Sequence, residues 1–176
     1  MDNNAWKQCV DFHGHACPGL AIGFRAGEAA LQYLGVTFSS DEEIVCVTEN
    51  DACGVDAIQV LTGCSLGKGN LIYRGRGKQA FSFFDRKTGK KIRVILKVTF
   101  PRENMDREAV QEAILHTPID ELFDFKIPSF EVPEEARLFS SLPCDLCGES
   151  AAEHMMRLMN GKTVCLDCTR EYTRGW

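Results

Sequence analysis

The stretch Phe12–Leu20, with the one-letter sequence FHGHACPGL, decides how the first part of the chain folds and where its chemistry lies. His13, His15 and Cys17 stand at alternate positions, so in an extended segment their side chains would point to the same side. Pro18 is favoured at the first position of a helix, and the apolar spacing after it predicts one. Cys17 would then lie at a helix N-terminus, where the dipole favours a thiolate.

A second cysteine is expected beside the first. The run Glu43–Thr48 is apolar and rich in β-branched residues, which predicts a buried strand. From Gly54 onward the apolar spacing is helical. Cys53 therefore lies directly before a helix, as Cys17 does, and the two thiols are expected to share one polar site.

Four residues form the predicted core site: His13, His15, Cys17 and Cys53. Imidazole and thiolate together favour zinc, iron, cobalt or nickel over magnesium or calcium. His15, Cys17 and Cys53 are also the predicted reactive, or catalytic, groups. We expect the helix N-termini to lower the pKa of both thiols. The alternative is that Cys17 only caps its helix, which predicts no metal in this part of the chain.

Three charged residues are expected to line the same site and to bind its ligand. Asp51 and Asp56 flank Cys53, and their carboxylates suit hydrogen bonds to the imidazoles. Lys68 lies in a glycine-rich stretch that superficially matches a phosphate-binding loop. Only three residues separate Gly63 from the Gly-Lys pair, where four are needed, so nucleotide binding of that kind is disfavoured. Two interpretations stay open: a glycine turn, or a loop from which Lys68 holds an anionic group of a substrate.

The body of the chain is predicted to be α+β. Ala80–Asp85 and Lys91–Phe100 favour an antiparallel hairpin, Asp106–His116 favours a helix, and Thr117–Asp120 is a second helix start. Helices and strands occur in mixed order, which favours a mixed helix and antiparallel-sheet core over a doubly wound fold. Pro128–Pro143 is typical of a connector that leaves the body. The expected division is a core domain of residues 1–136 and a small metal-binding domain of residues 137–176.

Cysteines outside these groups are expected to be structural. Cys46 lies inside the first apolar strand, and Cys64 lies just past a helix end, where the dipole disfavours a thiolate. Both are predicted to pack in the core.

The tail carries two pairs of cysteines that are typical of a structural zinc site. The pairs have C-x2-C spacing and 17 residues lie between them: Cys144 with Cys147, and Cys165 with Cys168. Asn160-Gly161 predicts a hairpin between the pairs, and Asp167–Thr173 can form a helix that carries the second pair. Knuckle, hairpin and helix together are the order of a treble clef. The metal would supply the folding energy of so short a segment; the alternative metal is iron in a rubredoxin-like site.

Composition and charge limit the classes of partner. The chain has 176 residues and a formal net charge of -5, and from residue 139 to 176 four Lys/Arg stand against five Asp/Glu. We therefore expect no nucleic-acid partner. No basic segment followed by an apolar one opens the sequence, and no stretch is apolar enough to span a bilayer, so no membrane association is expected. Nine cysteines in such a chain favour metal sites in a reducing, cytoplasmic compartment over disulfides.

Three motifs together give a resemblance to a known family. The FHGHxCPG motif, the DxCxxDAIQ motif that contains Cys53, and TGCSLGKGNL resemble the FmdE family of formylmethanofuran dehydrogenase components, over residues 5 to about 130. The tail resembles the auxiliary treble-clef zinc finger of some members. The resemblance implies an α+β core that forms a homodimer, a Cys/His site in each core, and a metal-binding or accessory redox role.

Two functions of different class follow. In the first, the core is a metal-binding accessory or redox-associated component, related to the molybdenum or tungsten formylmethanofuran dehydrogenase, whose open coordination position accepts a small molecule. In the second, the protein is a metal- or thiol-responsive sensor or adaptor that contacts a protein partner through its zinc finger. An open core site favours the first function, and a closed site with exposed apolar residues on the finger favours the second.

Overall fold

The computed structural model describes residues 2–98 and 106–170. The chain divides into two compact units, Met1–Ala136 and Arg137–Trp176. None of the helices in the described ranges is long and apolar enough to cross a membrane.

The first unit combines helices with one sheet, as the α+β prediction requires. Its helices are α1 (Asn3–His13), α2 (Pro18–Leu34), α3 (Gly54–Thr62), α4 (Arg107–His116) and α5 (Ile119–Leu122). Its strands are β1 (Ile44–Thr48), β2 (Leu71–Tyr73), β3 (Ala80–Asp85), β4 (Lys91–Leu96) and β5 (Phe123–Lys126).

The five strands form a mixed sheet in the order β2-β1-β3-β4-β5. β1 and β2 are parallel, and the remaining pairs are antiparallel. The predicted hairpin of β3 and β4 is confirmed, although β4 ends at Leu96 and the expected extension to Phe100 reaches residues outside the described part. β5 pairs with β4, so the edges of the sheet are β2 and β5.

The core lies between α2 and one face of this sheet. Phe24 of α2 and Phe83 of β3 are fully buried there. Cys46 and Cys64 are also fully buried, which confirms that both pack in the core. Burial raises the pKa of the Cys64 thiol to about 11, so this thiol stays protonated near neutral pH.

Two glycines let α2 and α3 cross at backbone contact. A Cβ placed on Gly23 would lie 2.0 Å from the carbonyl oxygen of Gly54, and one on Gly54 would lie 2.9 Å from the carbonyl oxygen of Gly19. Only glycine fits at such a crossing. Because Cys17 precedes α2 and Cys53 precedes α3, this crossing fixes how close the two cysteines lie.

The second unit consists of two short hairpins. β6 (Ser141–Pro143) pairs with β7 (Ser150–Ala152), and β8 (Arg157–Met159) pairs with β9 (Lys162–Val164). Asn160 and Gly161 have φ values of 51° and 77°, which the predicted two-residue turn requires.

The helix expected over Asp167–Thr173 is absent from its described part. Leu166–Cys168 forms a single 3-10 turn, and Thr169 is extended with φ -78° and ψ 137°. The amide of Cys168 bonds back to the carbonyl of Cys165, so the chain turns tightly between the two ligands instead of winding into an α-helix. The last residues of the predicted helix, 171–173, lie outside the described residues.

Candidate metal and ligand site

The end of α1 and the start of α2 together build the core site. α1 ends at His13 because Gly14, at φ 89°, takes the left-handed conformation that terminates the helix. Cys17 is the N-cap of α2, and its Sγ accepts a hydrogen bond from the amide of Leu20 at 3.3 Å. The extended segment expected from His13 is therefore wrong, since His13 is helical and Gly14 turns the chain.

The three side chains of this segment nevertheless converge. One ligand atom each of His13, His15 and Cys17 lies within 4.8 Å of the other two. The Nε2 of His13 is 3.9 Å from the Sγ of Cys17, and the two imidazole rings are 4.6 Å apart between centroids. Two imidazoles and one thiol suit zinc, iron, cobalt or nickel, and three protein ligands leave a fourth position for a bound molecule.

A carboxylate orients the first imidazole. The Nδ1 of His13 lies 2.7 Å from the Oδ2 of Asp56, in the first turn of α3. Since an ionised carboxylate only accepts hydrogen bonds, Nδ1 carries the proton, which leaves the lone pair on Nε2, the nitrogen that faces Cys17. Asp56 thus stands where the sequence predicted an acceptor for an imidazole.

Cys53 lies near Cys17 but outside the group of three. A Cβ on Gly19 would lie 3.6 Å from the Sγ of Cys53 and 3.9 Å from that of Cys17, so the two sulfurs border the same small space. Burial and the neighbouring Cys17 thiol raise the pKa of Cys53. The expectation that the helix N-terminus lowers it is wrong, because no amide of α3 bonds to this sulfur.

A cavity of about 420 Å³ adjoins the site. His13, Cys53, Asp51 and Asp56 lie in its wall, so an imidazole, a thiol and two carboxylates face one shared space. The rest of the wall is mostly uncharged: Thr48, Asn50, Ala52, Val55, Gln59, Leu66, Leu71 and Tyr73. Sequence reasoning missed these wall residues, because short β2 and the order of the strands bring them together. A molecule in this cavity would reach the open side of the three ligands.

Lys68 lies elsewhere. Its Nζ donates to the carbonyl oxygen of Ser39 at 2.9 Å and lies 5.9 Å from the centre of the Phe38 ring. Lys68 does not line the cavity, so its position does not support the predicted role of holding an anionic ligand. Gly69, at φ 83°, fits the alternative interpretation of this stretch as a glycine turn.

In the second unit the four cysteines form one cluster. The Sγ atoms of Cys144, Cys147, Cys165 and Cys168 all lie within 4.8 Å of one another, and that of Cys147 is 3.8 Å from that of Cys165. A tetrahedron with zinc–sulfur bonds of about 2.3 Å has edges of about 3.8 Å. The amides of Leu146 and Cys165 each donate to the Sγ of Cys144 at 3.4 Å, as amides around a metal-bound thiolate do.

The charges of these thiols show why the cluster needs a cation. Hydrogen bonds from the amides of Cys147, Cys165 and Leu146 lower the pKa of Cys144 to about 6. The Cys147 and Cys165 thiols raise the pKa of Cys168 to about 12. Four thiolates this close repel one another, and a divalent metal removes the repulsion. The donor set therefore fits zinc.

Comparison with known proteins agrees with both sites. Residues 12–124, more than half of the chain, match the family described as FmdE, molybdenum formylmethanofuran dehydrogenase operon. The chain belongs to the FmdE family. Residues 137–174 match the prokaryotic dksA/traR C4-type zinc finger, which agrees with the cluster of four cysteines.

Two relatives place this FmdE chain more closely. A probable S-adenosyl-L-methionine-binding protein of Archaeoglobus fulgidus is 31% identical over 192 residues, which cover 92% of the chain and 51% of the relative. The chain thus spans about half the length of that curated relative. The crystal structure of an FmdE-like protein of tungsten formylmethanofuran dehydrogenase, from Syntrophus aciditrophicus, has a TM-score of 0.67 at 23% identity, and the match covers 92% of this chain and 88% of that one. The FmdE-like fold predicted from the motifs is confirmed.

Proposed function

We propose that the core of this FmdE protein binds one transition metal through His13, His15 and Cys17, and that a small molecule in the adjoining cavity completes the coordination. The main support is the convergence of these three ligands within 4.8 Å beside a cavity that the same His13 lines. Zinc, iron, cobalt and nickel suit this donor set. Cys53, in the cavity wall, is the reactive thiol or a further ligand.

Within this proposal the protein is an accessory or redox-associated component related to formylmethanofuran dehydrogenase. Membership of the FmdE family supports this role. The cavity limits the ligand: Asp51 and Asp56 favour a molecule with a cationic group, and the uncharged wall favours an apolar body. The Archaeoglobus fulgidus relative is named for S-adenosyl-L-methionine, a cationic sulfonium compound, which makes this compound the first ligand to test.

Metal analysis tests the core site. We expect the full chain, purified without chelators, to hold zinc in the tail and to bind a second transition metal in the core. Cys17→Ser should remove the second metal and keep the tail zinc. Cys46→Ala is the matched control, because this buried cysteine lies in β1 and belongs to neither group of ligands. One metal per chain in the wild type, with no cobalt taken up at a second site, would show that the core site does not exist.

The alternative function is a sensor or adaptor that contacts a protein through the zinc finger. Exposed leucines of the second unit favour it: Leu138 is fully exposed and Leu158 is 80% exposed. The open cavity beside the core ligands favours the accessory role. Binding of a small molecule by the metal-loaded core, lost in Cys17→Ser, supports the accessory role; a partner protein lost on Leu158→Ser, with no ligand for the core, supports the adaptor.

We also propose that the core forms a homodimer. The sequence analysis placed the uncovered edge at Ile92–Phe100, but β5 covers that strand. The apolar surface lies instead around Tyr33 of α2 and Phe125 of β5, which are 53% and 42% exposed and line a hollow of about 390 Å³. A sedimentation mass of 19.6 kDa, the mass of one chain, would refute the dimer; Phe125→Glu should convert a dimer to that mass.

A further inference from the structure

A second cavity, on the face of the sheet that the helices do not cover, is strongly cationic. It has a volume of about 320 Å³ and its wall contains five basic side chains and a single carboxylate. The basic residues are Arg74, Arg76, Lys78, Arg93 and Lys126. This concentration stands out in a chain whose formal net charge is -5.

Sheet register brings two of these cations together. Arg93 of β4 pairs directly with Lys126 of β5, and paired residues on adjacent antiparallel strands point to the same face. The opposite residue on β3 is Ser82. Arg93 and Lys126 therefore stand side by side on a rigid surface.

The remaining three cations come from the loop between β2 and β3. Its sequence from Arg74 to Lys78 is RGRGK, so a glycine separates each cation from the next. The amide of Arg74 donates to the Thr48 carbonyl at 2.8 Å, and that of Arg76 donates to the Glu49 carbonyl at 2.9 Å. The side-chain amide of Asn50 donates to the carbonyl of Lys78 at 2.8 Å. These bonds fix the loop against the end of β1, so its cations are held in place before any ligand arrives.

The cavity contains too little negative charge to balance these cations. The Glu49 carboxylate binds Arg93 through both oxygens, which neutralises one guanidinium. Hydrogen bonding from Arg93 lowers the pKa of Glu49, and the charges of Lys78 and Arg74 contribute to the shift. Among the described residues, no other carboxylate belongs to the wall. An anion would relieve the repulsion among the cations that remain.

We propose that this cavity binds a free phosphorylated small molecule through Arg74, Arg76, Lys78 and Lys126. Guanidinium groups match phosphate oxygens in pairs, and two arginines on one short loop can hold adjacent phosphoryl groups. Phe130, over whose ring the guanidinium of Arg74 lies at 4.8 Å, gives the cavity an apolar side. The bounded volume favours a small molecule over a continuous polymer. This site uses none of the core metal ligands and is independent of the proposed metal function.

Titration calorimetry of the full chain with inorganic pyrophosphate tests the site. We expect saturable binding at one site per chain that weakens as salt is added. Arg74→Gln combined with Arg76→Gln should weaken binding about tenfold or more. Both side chains are exposed, so the double variant should keep its fold. Lys7→Gln combined with Arg107→Gln changes the net charge equally, at exposed positions of α1 and α4, and should bind as the wild type does.

Three further measurements separate this site from the core metal, from a membrane surface and from nucleic acid. Cys17→Ser should still bind pyrophosphate, and loss of binding there would show that the anion coordinates the core metal instead. Sedimentation of the wild type with phosphoinositide vesicles, or displacement of pyrophosphate by a single-stranded oligonucleotide at lower concentration, would overturn the assignment to a free small molecule. Equal affinity of the wild type and the arginine double variant would overturn the site itself.

Discussion

Gly23 of α2 touches the backbone of Gly54 of α3, so closely that a Cβ on Gly23 would lie 2.0 Å from the Gly54 carbonyl oxygen. Neither backbone can move away without separating the two helices. We expect Gly23→Ala to destabilise the protein by about 2 kcal/mol or more, as overpacking of a tight interface does. Because the helices carry Cys17 and Cys53 at their starts, core metal binding should weaken as well. Thermal unfolding and metal titration measure the two effects.

Gly67→Ala is the matched control for this change. A Cβ there would meet nothing within 4 Å, and Gly67 does not have a positive φ. Its stability and metal affinity should equal those of the wild type. A Gly23→Ala variant as stable as Gly67→Ala would show that the two helices do not cross as described.

The hydrogen bond between His13 and Asp56 should strengthen the core metal site. Asp56→Asn keeps the shape of the side chain but loses the charge that orients and polarises the imidazole. We expect the affinity for cobalt or zinc at this site to fall about 10- to 100-fold, which is usual for such a partner of a metal-bound histidine. Competition with a chromophoric chelator measures the affinity.

Asp51→Asn removes the same charge from the same cavity wall, yet Asp51 is not the partner of His13. This control should change the metal affinity much less. If both variants lose affinity equally, the cavity's total charge, and not the orientation of His13, governs metal binding.

In the tail, one cysteine should be enough to abolish the fold. Cys165→Ser removes one of four thiolates, so we expect loss of zinc and unfolding of the second unit, while the first unit keeps its own core. Zinc content and limited proteolysis measure these changes. Leu158→Ala, at an exposed position of β8, should keep its zinc and its resistance to protease. A zinc-loaded, protease-resistant Cys165→Ser chain would contradict the assignment.

Acid should weaken one part of the structure through Glu43, just before β1. The amide of Asp41 and the hydroxyl of Ser39 donate to this carboxylate and lower its pKa from 4.5 to about 2. A lowered folded-state pKa stabilises the fold at pH values above 4.5, and this stabilisation is lost as the pH falls through about 2. The melting temperature of Glu43→Gln should therefore lie below that of the wild type at neutral pH, with the gap closing towards pH 2. A gap independent of pH would refute this coupling.

Local patterns in the sequence predicted the elements that local forces determine. The apolar period of α2, the hairpin of β3 and β4, and the cap of α4 at Asp106 need only neighbouring residues, and the structure has them. The C-x2-C spacing predicted the tail cluster for the same reason. The edge strands β2 and β5 have only three and four residues, too few for a periodic pattern, and their pairing depends on the rest of the sheet.

The site was predicted in part because its three ligands are close in sequence, although a helix end and a glycine turn bring them together. Lys68 was misplaced because the direction of a long side chain depends on a distant group, here the carbonyl of Ser39. The pKa of Cys53 was misjudged because a position before a helix does not ensure that an amide reaches the sulfur.

The spacing of the ligands also determines how each metal is coupled to folding. His13, His15 and Cys17 lie within five residues, so the unfolded chain keeps them together and retains much of its affinity for the metal. A ligand stabilises a fold only by the difference between its affinities for the folded and unfolded chains. In the core that difference comes chiefly from Asp56, 43 residues beyond His13, whereas the tail joins two cysteine pairs that unfolding separates. Chelation should therefore unfold the tail and barely change the melting temperature of the core, which can exchange its metal while it remains folded.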